Sequence, residues 1–91
     1  MNIYKINKEK RPVIYVAQLN LMHYGIVDLV ERQDYILGLE AFDDLVNEAN
    51  EDRFGEGVYE VLLLKDFFDS EGRFVKTERL KRKVIDRGDE L

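Results

Sequence analysis

The chain has 91 residues, a mass of 10.8 kDa and a formal net charge of −5. This length allows one domain, residues 1–91, with a modest core and excludes a second domain. The lack of cysteine excludes thiolate nucleophiles, disulfides, iron–sulfur clusters and most structural zinc sites. No apolar run is long enough to span a membrane, and the first residues lack the apolar region of a signal peptide. We therefore expect a cytoplasmic protein.

The acidic residues are concentrated in the middle of the chain. Residues 28–71 contain fourteen acidic and three basic residues, a net charge of −11, and the segments on either side each carry +3. Such asymmetry affects long-range potentials and association rates more than it affects the fold. It indicates that charge complementarity guides the choice of partner.

Two strands are predicted in the N-terminal part. Residues 3–6 alternate weakly between apolar and polar, and a polar connection ending at Pro12 follows. Val13–Leu21 then alternates at period two, which places the odd-numbered residues on one face and Ile14 and Val16 on the other. We expect this strand to be buried on both faces at its start.

Residues 22–33 give conflicting signals. Ile26, Leu29 and Val30 have helical spacing, whereas Gly25 and the β-branched Val27 weaken a helix. The spacing favours a helix here.

A helix over residues 35–50 is the next prediction. Asp34 can accept hydrogen bonds from the free N–H groups of its first turn. Apolar residues then recur at steps of three and four: Tyr35, Leu39, Phe42, Leu45, Val46 and Ala49. Residues 51–57, with two glycines, are predicted to form a loop.

The C-terminal third predicts a β-hairpin. Val58–Phe68 is rich in Val, Leu and aromatic residues, and a three-residue loop over residues 70–72 would place Asp69 opposite Arg73. The same register predicts the pairs Phe68/Phe74, Asp66/Lys76, Leu62/Leu80, Glu60/Arg82 and Val58/Val84. A helix over residues 77–87 is the alternative. The fold class is therefore α+β: a small antiparallel sheet of N-terminal strands and a C-terminal hairpin, packed with one or two helices.

The inventory of reactive side chains predicts no enzyme. There is one serine, one threonine and one histidine, so a catalytic triad is nearly excluded, and Ser70 lies at a predicted turn. His23 would suggest catalysis only if it lay in a pocket near several carboxylates. A calcium loop with Gly72 at its sixth position would begin at Phe67, which cannot ligate the ion. No catalytic residue, cofactor or metal site is therefore predicted.

The leading hypothesis is a non-enzymatic protein-binding module. Its acidic helix and loop would dock on a basic, nucleic-acid-binding surface of a partner protein. A small, acidic, cysteine-free domain of this kind has the physical profile of an inhibitor or modulator, of the type that phages and mobile elements encode. The predicted partner-binding residues are Glu40, Asp43, Asp44, Glu48, Glu51, Asp52 and Glu56.

The alternative hypothesis is a nucleic-acid-associated protein. In the predicted hairpin, Arg79, Lys81 and Lys83 share one face of the second strand and form a basic edge that attracts phosphates. Basic residues along an edge strand also block unwanted sheet pairing, so direct binding of nucleic acid is the less favoured hypothesis. Exposed tyrosines are typical of protein interfaces, so a homodimer is a further possible arrangement.

Overall fold

The computed structural model describes residues 12–51 and 54–88. Within these residues one antiparallel sheet has the strand order β2-β1-β3-β4, and one helix packs on one of its faces. The elements are β1 (Val13–Leu21), β2 (Gly25–Arg32), α1 (Tyr35–Ala49), β3 (Val58–Phe68) and β4 (Phe74–Asp86). The predicted α+β class, with N-terminal strands and a C-terminal hairpin, is confirmed. The strand predicted over residues 3–6 lies outside the described residues.

β1 is an inner strand that is buried on both faces: its helix-free face is buried at the start, as predicted, whereas the face toward α1 is fully buried only at Ala17 and Leu19. Ala17 and Leu19 have no exposed surface and face α1, while Ile14 and Val16 are 3–4 % exposed on the opposite, helix-free face. The main core lies between the sheet and α1 and consists of Ala17, Leu19, Ala41, Phe42, Leu45, Ala49, Tyr59, Val61, Leu63 and Ile85. A smaller cluster on the helix-free face contains Ile14, Val16 and Phe68, with Leu64 packed against it.

α1 begins where the sequence predicted. The Asp34 carboxylate accepts a hydrogen bond of 2.9 Å from the N–H of Leu37, which satisfies one of the free donors of the first turn. Gly38 is buried against β1, and a Cβ atom there would lie 2.9 Å from the Cβ of Tyr15. The missing side chain therefore allows the helix to lie close to the sheet.

The predicted helix over residues 22–33 is wrong, because this segment forms the turn after β1 and then β2. A β-bulge at Val27 explains the misleading spacing. Ile26 is opposite Asn20 and Leu29 is opposite Gln18, so both lie on the helix-free face although they are three residues apart. One inserted residue therefore gives a strand the apolar spacing of a helix.

The hairpin is confirmed, and its turn has the predicted geometry. The N–H of Asp69 donates to the carbonyl of Arg73 at 2.9 Å, Phe68 lies opposite Phe74, and Gly72 has φ +81°. The alternative helix over residues 77–87 is wrong, since these residues belong to β4 or follow it directly.

The predicted register of the hairpin is wrong beyond the first pair. Two bulges insert Val75 and Leu80 into β4 and shift the pairing by two residues in total. The observed partners of Asp66, Leu62, Glu60 and Val58 are Thr77, Arg82, Val84 and Asp86.

Candidate protein-binding surface

An acidic stripe runs along the solvent side of α1. We use the name acidic stripe for Glu40, Asp43, Asp44 and Glu48, which lie three, four or eight residues from Glu40 and so share one side of the helix. The buried residues of α1 are Gly38, Ala41, Phe42, Leu45 and Ala49. They occupy the opposite side, so the fold directs the carboxylates away from the sheet.

Three of these carboxylates are not neutralised by basic neighbours. Glu40, Asp43 and Asp44 are exposed, and within residues 12–51 and 54–88 none of the three forms an ion pair. α1 contains no Lys or Arg. Of the described bases, Lys81 comes close to the helix, with its Nζ 4.9 Å from the centre of the Phe42 ring. Among the described residues, no basic group therefore forms an ion pair with the carboxylates of Glu40, Asp43 and Asp44.

The acidic stripe does not follow the charge pattern that stabilises a helix. The first turn of α1 has no acidic residue and the last turn has no basic residue, although acids near the N-terminus and bases near the C-terminus would suit the helix dipole. Glu40 and Asp44 are four residues apart, as are Asp44 and Glu48, so like charges repel by about 0.2 to 0.5 kcal/mol per pair. Helix stability therefore does not explain why these residues are acidic.

The remaining predicted acids lie beyond the C-terminal end of α1. Glu51 is exposed at the start of the following loop, one helical turn beyond Asn47. Asp52 lies outside the described residues. Glu56 is exposed and lines a cleft of about 330 Å³ at the turn between β1 and β2, together with His23 and Tyr24. Glu56 is therefore separated from the acidic stripe and belongs to a different local environment.

The same cleft contains the one histidine of the chain. The N–H of Tyr24 donates to the carbonyl of Leu21 at 2.9 Å, and His23 within this turn has φ +73°, a left-handed conformation that costs energy for a residue other than glycine. Of the side chains that line the cleft, Glu56 is the one carboxylate. A catalytic His23 would need several carboxylates in one pocket, and the described lining of this cleft provides one.

The predicted basic edge is divided between two faces of the sheet. Arg79 lies opposite Leu64 on the helix-free face, whereas Lys81 and Lys83 lie opposite Leu63 and Val61 on the face that carries α1. The prediction of one shared face is wrong because the bulge at Leu80 reverses the alternation between Arg79 and Lys81. The nucleic-acid interface stays a prediction, and it now requires contact from two sides of β4.

A polar network that the sequence did not reveal crosses the helix-free face. Gln18 Nε2 donates to Asn20 Oδ1 at 3.0 Å, Asn20 Nδ2 lies 3.5 Å from Glu60 Oε1, and Arg82 Nε donates to Glu60 Oε2. The hydrogen bond from Arg82 is the main reason that the pKa of Glu60 lies below its usual value. Glu60 and Arg82 are diagonal neighbours, because the bulges place Val84 directly opposite Glu60.

Two classes of site are not found in the described part of the chain. Residues 12–51 and 54–88 contain no group of three or more His, Asp or Glu side chains that could hold a metal ion. No described helix combines the length and apolar character needed to cross a membrane. No protein-family model, curated protein or solved structure matches the chain.

Proposed function

We propose that this protein is a non-enzymatic protein-binding module whose acidic stripe docks on a basic, nucleic-acid-binding surface of a partner protein. Occupying that surface would make the module an inhibitor or modulator of its partner, of the type that phages and mobile elements encode. The observation that carries the proposal is the set of exposed carboxylates on α1, Glu40, Asp43 and Asp44, which have no ion-pair partner among the described residues.

A row of carboxylates on a helix suits a partner that binds nucleic acid. Surfaces that bind nucleic acid present clustered Lys and Arg to a row of phosphates. Glu40, Asp44 and Glu48 offer negative charges about one helical turn apart, and Asp43 lies beside Asp44, so they can engage several such cations together. Complementary charge also raises the rate of association and orients the encounter.

The test compares two variants that have the same net charge. In the first, Glu40, Asp43 and Asp44 are changed to Lys; in the second, Glu71, Glu78 and Asp86, which lie in the β3–β4 turn and in β4, are changed to Lys. Each tagged protein is used for affinity capture from a cell lysate, and the bound proteins are quantified with and without added competing nucleic acid. We expect a nucleic-acid-binding protein to be captured by the wild type and the second variant, lost with the first, and released by nucleic acid.

Asp44→Lys separates binding from folding. This change replaces repulsion of residue 44 by Glu40 and Glu48 with attraction, so it should raise the free energy of unfolding by about 1 to 2 kcal/mol while weakening capture. Urea unfolding followed by circular dichroism measures the first effect.

Equal loss of the partner with both triple variants, or unchanged capture by the Glu40, Asp43 and Asp44 variant, would show that the acidic stripe is not the docking surface.

A further inference from the structure

The outer edge of β2 presents backbone groups in a defined pattern. Along an antiparallel strand, successive residues direct their backbone groups to one neighbouring strand and then to the other. In β1 the carbonyl of Pro12 accepts from the N–H of Phe68 at 2.7 Å, and the N–H of Met22 donates to the carbonyl of Val58 at 2.9 Å. The even-numbered residues of β1 therefore face β3, and its odd-numbered residues face β2.

The parity of β2 follows from its pairing with β1. Ala17 lies opposite Val30 and Tyr15 opposite Arg32, so Val30 and Arg32 direct their backbone groups inward to β1. Leu29 and Glu31 consequently direct theirs outward. The side-chain hydrogen bonds agree, because the N–H of Leu29 donates to its neighbour Asp28 and the carbonyl of Glu31 accepts from Arg32, both at 2.8 Å. Local side chains thus occupy the edge where a further strand would bind.

The side chains along this edge are unusually apolar for an outer strand. Ile26 is 59 % exposed, Leu29 44 % and Val27 42 %. Arg32 is the one basic residue of β2, and the strand contains no Pro. Outer strands of soluble proteins commonly carry Lys or Pro to prevent pairing with another chain. β2 has neither, and no strand among residues 12–51 and 54–88 pairs with its outer edge. A partner strand would replace the two local hydrogen bonds made by the Asp28 and Arg32 side chains.

Charge selects one partner and one register. For two copies of β2, the outward residues Leu29 and Glu31 must supply the hydrogen-bonded pairs. Pairing Glu31 with Glu31 of the second copy opposes like charges, and pairing Leu29 with Leu29 places Asp28 and Arg32 opposite apolar residues. The third register pairs Leu29 of each copy with Glu31 of the other and places the two Val30 residues opposite each other. Asp28 of each copy then lies opposite Arg32 of the other copy, which gives two pairs of opposite charge.

We propose that β2 pairs antiparallel with β2 of a second copy of this chain, with Val30 at the two-fold axis and Asp28 of each copy opposite the partner's Arg32. The axis is perpendicular to the sheet, since the two Val30 side chains lie on the same face. The result is an eight-stranded sheet with both copies of α1 on one side. The dimer thereby presents two acidic stripes on one surface, although the pairing itself does not depend on the proposed function.

The test uses Asp28→Arg and Arg32→Asp, alone and mixed. In a homodimer of the first variant two arginines oppose each other, and in a homodimer of the second two aspartates do. A mixed dimer restores two pairs of opposite charge. Sedimentation velocity should show that the wild type dimerises with a dissociation constant between about 1 μM and 1 mM. The dissociation constant of each variant alone should be at least about tenfold higher. Mixing the two variants should restore the wild-type dimer.

Two controls connect the result to this edge. Lys83→Glu, on the opposite outer strand, and the Glu40, Asp43 and Asp44 variant should both dimerise like the wild type. Circular dichroism establishes that each variant is folded. A wild type that stays monomeric up to about 1 mM would overturn the proposal. So would folded single variants that dimerise as well as the wild type, or that fail to associate when mixed.

Discussion

The two outer strands of the sheet meet solvent in different ways. β4 has 13 residues, two bulges and five basic side chains, whereas β2 has eight residues, one bulge and a single basic side chain. The basic residues of β4 are Lys76, Arg79, Lys81, Arg82 and Lys83. Charges and bulges prevent an edge from pairing with another chain. β4, with more bulges and more basic residues, is therefore protected from such pairing more strongly than β2.

The two outer strands also differ in how they are attached to the core. Ile85 is the one buried residue of β4, 7 % exposed and packed in the cluster beneath α1. No residue of β2 is buried to that degree, and Val30 is half-buried against the same cluster. β4 is therefore held to the core by one buried residue near its end, Ile85, whereas β2 is held by the half-buried Val30.

Ile85→Ala should produce the largest change in stability. Removing this anchor is expected to lower the free energy of unfolding by about 2 to 5 kcal/mol, because it leaves a cavity under α1. Val30→Ala, the matched change in β2, should cost about 1 kcal/mol. Urea unfolding of both variants measures the difference. If Val30→Ala costs as much as Ile85→Ala, the two strands do not differ in their dependence on the core.

The same comparison explains which elements the sequence predicted well. β1 and α1 follow their ideal periods, since Ala17 and Leu19 face one core and Leu45 repeats on the helical stripe. Both outer strands contain bulges, and a bulge adds one residue that a count of period two cannot detect. The insertion at Val27 made β2 resemble a helix, and those at Val75 and Leu80 shifted every pair of the hairpin beyond Phe68 and Phe74.

The candidate site was predictable to the extent that it depends on one regular helix. Glu40, Asp43 and Asp44 share a side because α1 has the predicted period, so their exposure followed from the buried stripe. The separation of Arg79 from Lys81 could not be predicted, since it depends on the bulge between them. The outward direction of the Leu29 backbone groups could not be predicted either, because the apolar spacing of residues 22–33 favours a helix.

Three substitutions compare the turns that lead to the outer strands. The turn before β4 has Gly72 at φ +81°, and the turn before β2 has His23 at φ +73°. Gly72→Ala should lower the free energy of unfolding by about 1 to 2 kcal/mol, with a smaller loss for Gly72→Asn, because Asn tolerates the left-handed conformation better. His23→Gly should raise stability by about 0.5 to 1 kcal/mol. Thermal unfolding measures whether each of the three variants is more or less stable than the wild type. A Gly72→Ala variant that is more stable would contradict this account of the turn.

The smallest expected effect is the pH dependence of the ion pairs that support β4. The pKa of Glu60 is lowered mainly by the hydrogen bond from Arg82, and that of Asp69 mainly by the backbone N–H of Arg73. Each carboxyl has a lower pKa in the folded state than in the unfolded state, so the unfolded state binds protons first as the pH falls. Their stabilisation is therefore complete above the unfolded pKa values, about 4, and is lost as the pH falls through the folded values.

Glu60→Gln isolates one of these two contributions. At pH 7 the variant should be about 0.5 to 1 kcal/mol less stable than the wild type, because the ion pair between the half-buried carboxylate and the more exposed Arg82 is lost. The difference should shrink toward zero as the pH falls below about 4, since the wild-type carboxyl is then protonated as well. Urea unfolding between pH 7 and low pH measures both curves. A difference that persists unchanged in acid would mean that Glu60 supports β4 through packing rather than through its charge.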